Sequence, residues 1–179
     1  KNSDVEAIQI SNSELARISN QKNPNHVLAL VEFKKYSIPS NKGLVLVLDG
    51  INDPGNMGTI IRTCDWFGIQ AIVCSMNSVD VYNPKVVQSS MGSVFRVPVI
   101  YTDLFDYLQG VKSPIYGAFI DGQNINDISF PRDLNLVIGN EANGMTKEIS
   151  QLISKKVKIE NVGKKYADSL NVAVATSIL

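Results

Sequence analysis

Leu44-Val45-Leu46-Val47-Leu48 is apolar at five consecutive positions, and no other stretch constrains the fold as much. A strand with one wet face alternates apolar and polar residues, so an unbroken run implies burial on both faces. A parallel sheet with helices on either side provides that environment. Further short runs of Val, Ile and Leu predict strands near 69–74, 94–99, 115–120, 134–138 and 156–159. Helical patterns fit between most of them, at 57–67, 84–91, 103–110 and 146–153, with another from 171 to the chain end. The expected class is α/β, a parallel sheet in a three-layer α/β/α arrangement. With 179 residues there is enough chain for one such domain and a sizeable core.

The first forty residues read differently. A short helix is predicted over Glu14 to Ile18, after Ser11 or Ser13, and then an apolar strand from His26 to Phe33. We read 1–40 as a lead-in segment and 41–179 as the main domain. The lead-in has no secretory signal and no core of its own, so a further domain is expected upstream of it.

Several functional classes are excluded by composition. No apolar run is long enough to span a bilayer, so no membrane partner is expected. Cys64 and Cys74 lack a CxxC spacing or histidine partners, which points to neither a metal site nor a disulfide framework and fits a reducing cytoplasm. Lys+Arg and Asp+Glu number 17 each, so the chain lacks the basic excess typical of nucleic-acid binders. Any polyanion must be held by local patches. The candidates are Lys34-Lys35, Lys155-Lys156 with Lys158, and Lys164-Lys165, each of which alone reads as a solvated face.

Ligands of open α/β sheets sit at the carboxyl ends of strands, where two Gly/Asn-rich loops fall. Gly50 to Gly55 and Gly139 to Gly144 have phosphate-loop spacing, but Asn56-Met57 and Met145-Thr146 follow where a P-loop requires lysine. No GxGxxG occurs. Nucleotide hydrolysis and hydride transfer are therefore disfavoured, and the loops suit a small polar ligand held by amides and carbonyls. The only histidine, His26, lies outside them, so the usual neutral-pH general base is missing. Taken singly, the remaining residues are bland. Arg62 reads as a surface arginine on a helix whose contacts come from Ile60, Ile61, Cys64 and Phe67. Cys64 reads as core, Asn56 as a helix N-cap, and Glu141 as a solvated loop acid.

Taken together they are not bland. DGINDPGNMGTIIRTCDWFG, LVIGNEANGM and SLNVAVA, in that order and separation, resemble the three motifs of the SpoU/TrmH family of RNA ribose 2′-O-methyltransferases, of the SPOUT class. Tyr82 to Ser93 resembles the family's segment between motifs one and two, and coverage runs over 41–179. Ile18 to Leu30 resembles the approach to this domain in members with an additional N-terminal RNA-binding domain.

The resemblance implies a C-terminal trefoil knot, S-adenosylmethionine as cofactor, rRNA or tRNA as substrate, a homodimer and no metal. It also implies that Gly139, Ile159 and Leu170 line the cofactor pocket and that Asn56, Arg62, Glu141, Ser169 and Asn171 surround the methyl-transfer site. A guanidinium stays protonated in proteins, so Arg62 is read as stabilising the developing alkoxide, with a literal base role left open. Asn56 is expected to orient Arg62, and Ser169 and Asn171 to fix the ribose and the loop.

The third motif departs from the family pattern. Ile159 is followed by Glu160-Asn161 in place of Pro-Met, and the link through Lys164 to Asp168 is longer, with Lys164-Lys165 placed to meet phosphate. Two other readings stand beside the methyltransferase. One is an RNA-binding protein that keeps the knotted fold but has lost catalysis through this motif. The other is a base methyltransferase with a Cys64 nucleophile, disfavoured because helix periodicity turns Cys64 inward.

Overall fold

The computed structural model describes residues 6–38, 42–163 and 169–179. The chain divides into two compact units, one ending at Lys34 and the other running from Lys35 to Leu179. In the first, helix α1 (Asn12–Ile18) starts from a capping box. The Ser11 side chain accepts from the Glu14 N–H, and the Glu14 carboxylate accepts from the Ser11 N–H at 2.8 Å. This is the short helix the sequence predicts. The strand expected from His26 to Phe33 does not form, and Val27, Leu30 and Phe33 are 82%, 96% and 73% exposed. A strand needs a neighbour for its N–H and C=O groups, and none of the described strands pairs with this segment.

The second unit is built on six parallel strands: β1 (Leu44–Asp49), β2 (Ala71–Cys74), β3 (Val99–Tyr101), β4 (Ile115–Asn124), β5 (Leu134–Gly139) and β6 (Lys155–Lys158). Their order is β3-β2-β1-β5-β4-β6. β1 therefore lies inside the sheet between β2 and β5, as its uninterrupted apolar run requires. Helices α2 (Pro54–Phe67), α3 (Pro84–Ser89), α4 (Leu104–Gly110), α5 (Lys147–Gln151) and α6 (Val172–Ile178) cover the two faces. Leu46 and Leu48 pack with Met57, Ile60, Ile61 and Cys64 of α2, Val86 of α3 and Val172 of α6. Val45 and Val47 point the other way, onto Leu104, Tyr107 and Leu108 of α4 and Ile149 of α5. Alternation along one strand thus feeds two cores, giving three layers.

Two expectations are corrected here. Residues predicted as a strand over 94–99 form a 3-10 turn at Ser93–Phe95, and the ladder begins only at Val99. Val94 and Val97, both buried, are spaced three apart as that turn requires, and Pro98 has no N–H to offer a sheet. Helix α2 begins at Pro54 because Asp53, not Asn56, is its N-cap; the Asp53 carboxylate accepts from the Asn56 N–H at 2.8 Å, and proline takes the first helical position.

The trefoil knot that the resemblance implies lies around motifs two and three, which include the link between β6 and α6. Residues 164–168 of that link, including Lys164-Lys165, lie outside the described residues. Among the described residues no helix is long and apolar enough to cross a membrane.

Candidate functional site

Strands β1 and β5 end side by side, with Asp49 and Gly139 as register partners. The loop after β5 folds directly back onto its strand, and a Cβ on Gly139 would lie 2.3 Å from the Gly144 carbonyl carbon and the Met145 nitrogen. Only glycine fits. Asn140 closes this loop: its Oδ1 accepts from the Ala142 and Asn143 N–H groups at 2.9 and 3.1 Å, and its backbone pairs with Gly144. Its Nδ2 donates across to the Gly50 carbonyl at 2.7 Å. The buried Asp49 accepts from the Thr146 N–H at 2.7 Å, and the Gly50 N–H donates to Ser75 Oγ at 2.8 Å. Asp49 and Asn140 thus fasten the two loops together, and Ser75 ties the first of them to the end of β2. Their signal in the sequence is a polar residue at the end of an apolar strand, which the motif reading passed over.

Because Asp53 caps α2, the Asn56 side chain is free for other bonds. Its Nδ2 donates to Glu141 Oε1 at 2.8 Å, and its Oδ1 accepts from Asn171 Nδ2 at 2.9 Å. The Asn171 Oδ1 in turn accepts from the Ala173 and Val174 N–H groups, capping α6. One residue from each of the three sequence motifs therefore joins a single chain of hydrogen bonds, Glu141 to Asn56 to Asn171.

The other predicted residues do not join this chain. Gly139 ends β5, Ile159 lies half-buried just after β6, and Ser169 and Leu170 are exposed ahead of α6. Arg62 lies six residues farther along α2, a rise of about 9 Å. It is exposed and has no hydrogen bond or ion pair with a described residue, so it does not contact Asn56. Cys64 faces the core, where burial pushes its thiol up to about 12, as a structural rather than nucleophilic cysteine would be. In the unusual third motif, Glu160 Oε2 accepts from Asn124 Nδ2 at 2.8 Å, and Asn161 Oδ1 accepts from the Gly163 N–H at 2.9 Å.

The sequence model of the SpoU rRNA Methylase family matches residues 43–179, a span that includes every residue of this site. The chain belongs to the SpoU family. It is 29% identical, over 98% of its length and 71% of the relative's, to the Bacillus subtilis 23S rRNA (guanosine(2553)-2′-O)-methyltransferase RlmP. A Staphylococcus epidermidis protein assigned to the TrmH family of tRNA/rRNA methyltransferases is 34% identical over 75% of the chain, which spans 55% of that relative.

Among solved structures, one assigned to the TrmH family of RNA methyltransferases, from Porphyromonas gingivalis, superposes with a TM-score of 0.88 at 39% identity, covering 98% of this chain and 72% of that one. The SpoU methyltransferase AviRb from Streptomyces viridochromogenes, in complex with AdoMet, superposes with a TM-score of 0.82 at 28% identity, covering 96% of this chain and 69% of that one.

Proposed function

We propose that this SpoU domain transfers a methyl group from S-adenosylmethionine to a ribose 2′-hydroxyl of rRNA or tRNA. The observation that carries this reading is the Glu141–Asn56–Asn171 chain, which gathers all three motifs at the carboxyl ends of the central strands. Sites of open α/β sheets lie at that edge.

The loops there suit an adenosine-bearing cofactor. They offer backbone carbonyls of the 140–146 and 159–163 segments and the Glu141 and Met145 N–H groups, which make no bond within the loop, and Val162 and Leu170, 91% and 50% exposed, supply apolar surface for a flat base. Gly139, Ile159 and Leu170 would hold it. When bound, S-adenosylmethionine would supply an electrophilic sulfonium methyl group for the ribose oxygen.

The chain's own residues prepare the acceptor. The 2′-hydroxyl gives up its proton to solvent water as it attacks, and the fixed positive charge of Arg62 stabilises the developing alkoxide. Asn56 spends its amide on Glu141 and Asn171, so it acts by pinning the first turn of the helix from which Arg62 projects. Glu141 uses Oε1 on Asn56, leaving Oε2 to accept from a ribose hydroxyl. Ser169 presents its hydroxyl beside the same acceptor.

The active unit is a cytoplasmic homodimer in this reading. Trp66 and Phe67 of α2 and Val174 and Ile178 of α6 are exposed apolar side chains that a second copy would cover. The exposed side chains of Val27, Leu30 and Val31 likewise fit a lead-in that joins a further RNA-binding domain.

Isothermal titration with S-adenosylmethionine tests the reading, with a tritium-methyl transfer assay on rRNA and tRNA alongside. One site per chain is expected, and Arg62→Ala should keep that binding while losing transfer. Absent cofactor binding, with RNA binding retained, would replace the methyltransferase by a noncatalytic RNA-binding protein.

A further inference from the structure

The segment from Pro84 to Val97 packs along one flank of α2 and is held at both ends. Toward the helix start, a Cβ on Gly58 would fall 1.9 Å from Ser89 Oγ and 2.8 Å from the Val86 carbonyl oxygen. Toward its end, Asp65 Oδ2 accepts from Ser93 Oγ at 2.7 Å and from Arg96 Nε and Nη2 at 2.9 and 2.6 Å. Residues 58, 62 and 65 share a helix face. Arg62 therefore stands between the two contacts, alongside the turn that connects them.

That turn has two consecutive left-handed residues, Met91 with φ 51° and Gly92 with φ 84°. Such a backbone strains any side chain, yet Met91 is 69% exposed, so core packing does not account for it. The Gly92 N–H has no partner among the described residues. Beside it lies Arg96 Nη1, the guanidinium nitrogen that Asp65 leaves unused, 3.7 Å from where a Gly92 Cβ would sit. At the opposite end, Lys85 reaches over the first turn of α2, with its Cε 3.9 Å from the Cβ position of Gly55, next to Asn56. The nearby carboxylates are engaged: Asp53 caps α2, and Asp65 is paired with Arg96.

We infer that this flank is the track of an RNA strand, with one phosphate held by Gly92 N–H and Arg96 and another by Lys85, on either side of Arg62. The inference rests on the reading of the chain as an RNA methyltransferase and adds where the substrate lies. A chain with 17 cationic and 17 anionic residues has no general attraction for a polyanion, so its affinity must come from placement. Here three cations lie along about 15 Å of one helix flank, the rise of the ten residues from Gly55 to Asp65. The exposed Met91 thioether gives an unstacked base a soft apolar contact.

The test titrates the full chain with a fluorescent mixed-sequence single-stranded RNA of about twenty nucleotides across a salt series. Lys85→Gln and Arg96→Gln should each weaken binding several-fold at low salt and lower the slope of log affinity against log salt by about 0.7. Arg96→Lys should restore the slope, and Lys155→Gln combined with Lys156→Gln should leave it unchanged. Titration with S-adenosylmethionine checks that each variant is folded. If the unaltered chain binds cofactor and RNA but the Lys85 and Arg96 variants keep the full slope, the track is refuted while the methyltransferase reading stands. Cofactor binding without RNA binding by the unaltered chain also refutes the track, and binding of neither removes the methyltransferase reading itself.

Discussion

Replacing Gly58 with alanine should destabilise the domain, although the same change usually stabilises a helix. In a helix interior alanine is favoured over glycine by about 0.8–1.0 kcal/mol. Against that gain, the new methyl would sit 1.9 Å from Ser89 Oγ, 2.8 Å from Ser89 Cβ and 2.8 Å from the Val86 carbonyl oxygen. The hydroxyl can rotate away, giving up its bonds to the Lys85 and Pro54 carbonyls at 2.7 and 3.1 Å, at a cost of about 1 kcal/mol. The other two atoms move only if α3 moves, and overpacking of this kind costs about 1–3 kcal/mol. The net loss is about 1–3 kcal/mol, which for a domain of this size lowers Tm by roughly 2–12 °C.

Urea unfolding gives the free energy and a thermal melt gives the midpoint. Ser89→Ala in the Gly58→Ala background should recover part of the loss, because it removes the worst contact. Gly110→Ala is the counter-example: nothing lies within 4 Å of its Cβ position, so it should stabilise by about 0.4–1 kcal/mol. A Gly58→Ala protein as stable as the original, or more so, would refute the account of the α2–α3 contact.

Asn171→Ala removes the cap of α6 and should cost about 1 kcal/mol by urea unfolding, whereas Asn171→Asp keeps the cap, cannot donate to Asn56, and should lower methyl transfer more than stability. Cys64 and Cys74 should be inert to a thiol reagent in the folded protein and react together on unfolding; reaction of either before unfolding would contradict their burial. Burial raises both thiols above their ordinary value of 9.0, so their contribution to stability is complete below pH 9 and is lost as pH rises toward about 12 for Cys64; a Cys64→Ala protein should show a flatter alkaline limb. Met91→Gly relieves a left-handed side chain worth about 1–2 kcal/mol and adds about 0.5–1 kcal/mol of chain entropy cost, so it should be neutral to slightly stabilising in a thermal melt, and a marked loss would show that Met91 packs.

The sheet was legible where side-chain chemistry alone decides the structure. Leu44 to Leu48 must be covered on both faces, and only a central parallel strand does so. His26 to Phe33 misled because apolar character shows that a segment needs cover but does not supply a neighbouring strand. Val94 to Val99 misled because it mixes a spacing of three with a proline, which favours a turn over a ladder. At the site, Asn56, Glu141 and Asn171 were recognisable through the motifs, but their mutual bonds were not, because local reading made Asn56 the helix cap. Asp53-Pro54 carried the opposite signal, an acceptor followed by proline at the first helical position. Asp49, Ser75 and Asn140 were missed because their work is to join segments, and sequence spacing does not show which segments meet.

The bonds from Asn56 to Glu141 and to Asn171 close over 85 and 115 residues of chain. Parallel strands and contacts of such separation make folding slow, since a long loop must be closed before either bond is rewarded. An emerging chain delivers Asn171 only 115 residues after Asn56, so the site cannot exist on a molecule that lacks its third motif or has not yet folded it into place. Acquisition of cofactor affinity during refolding should therefore trail the appearance of helix and sheet, making the site a clock for the final step of assembly.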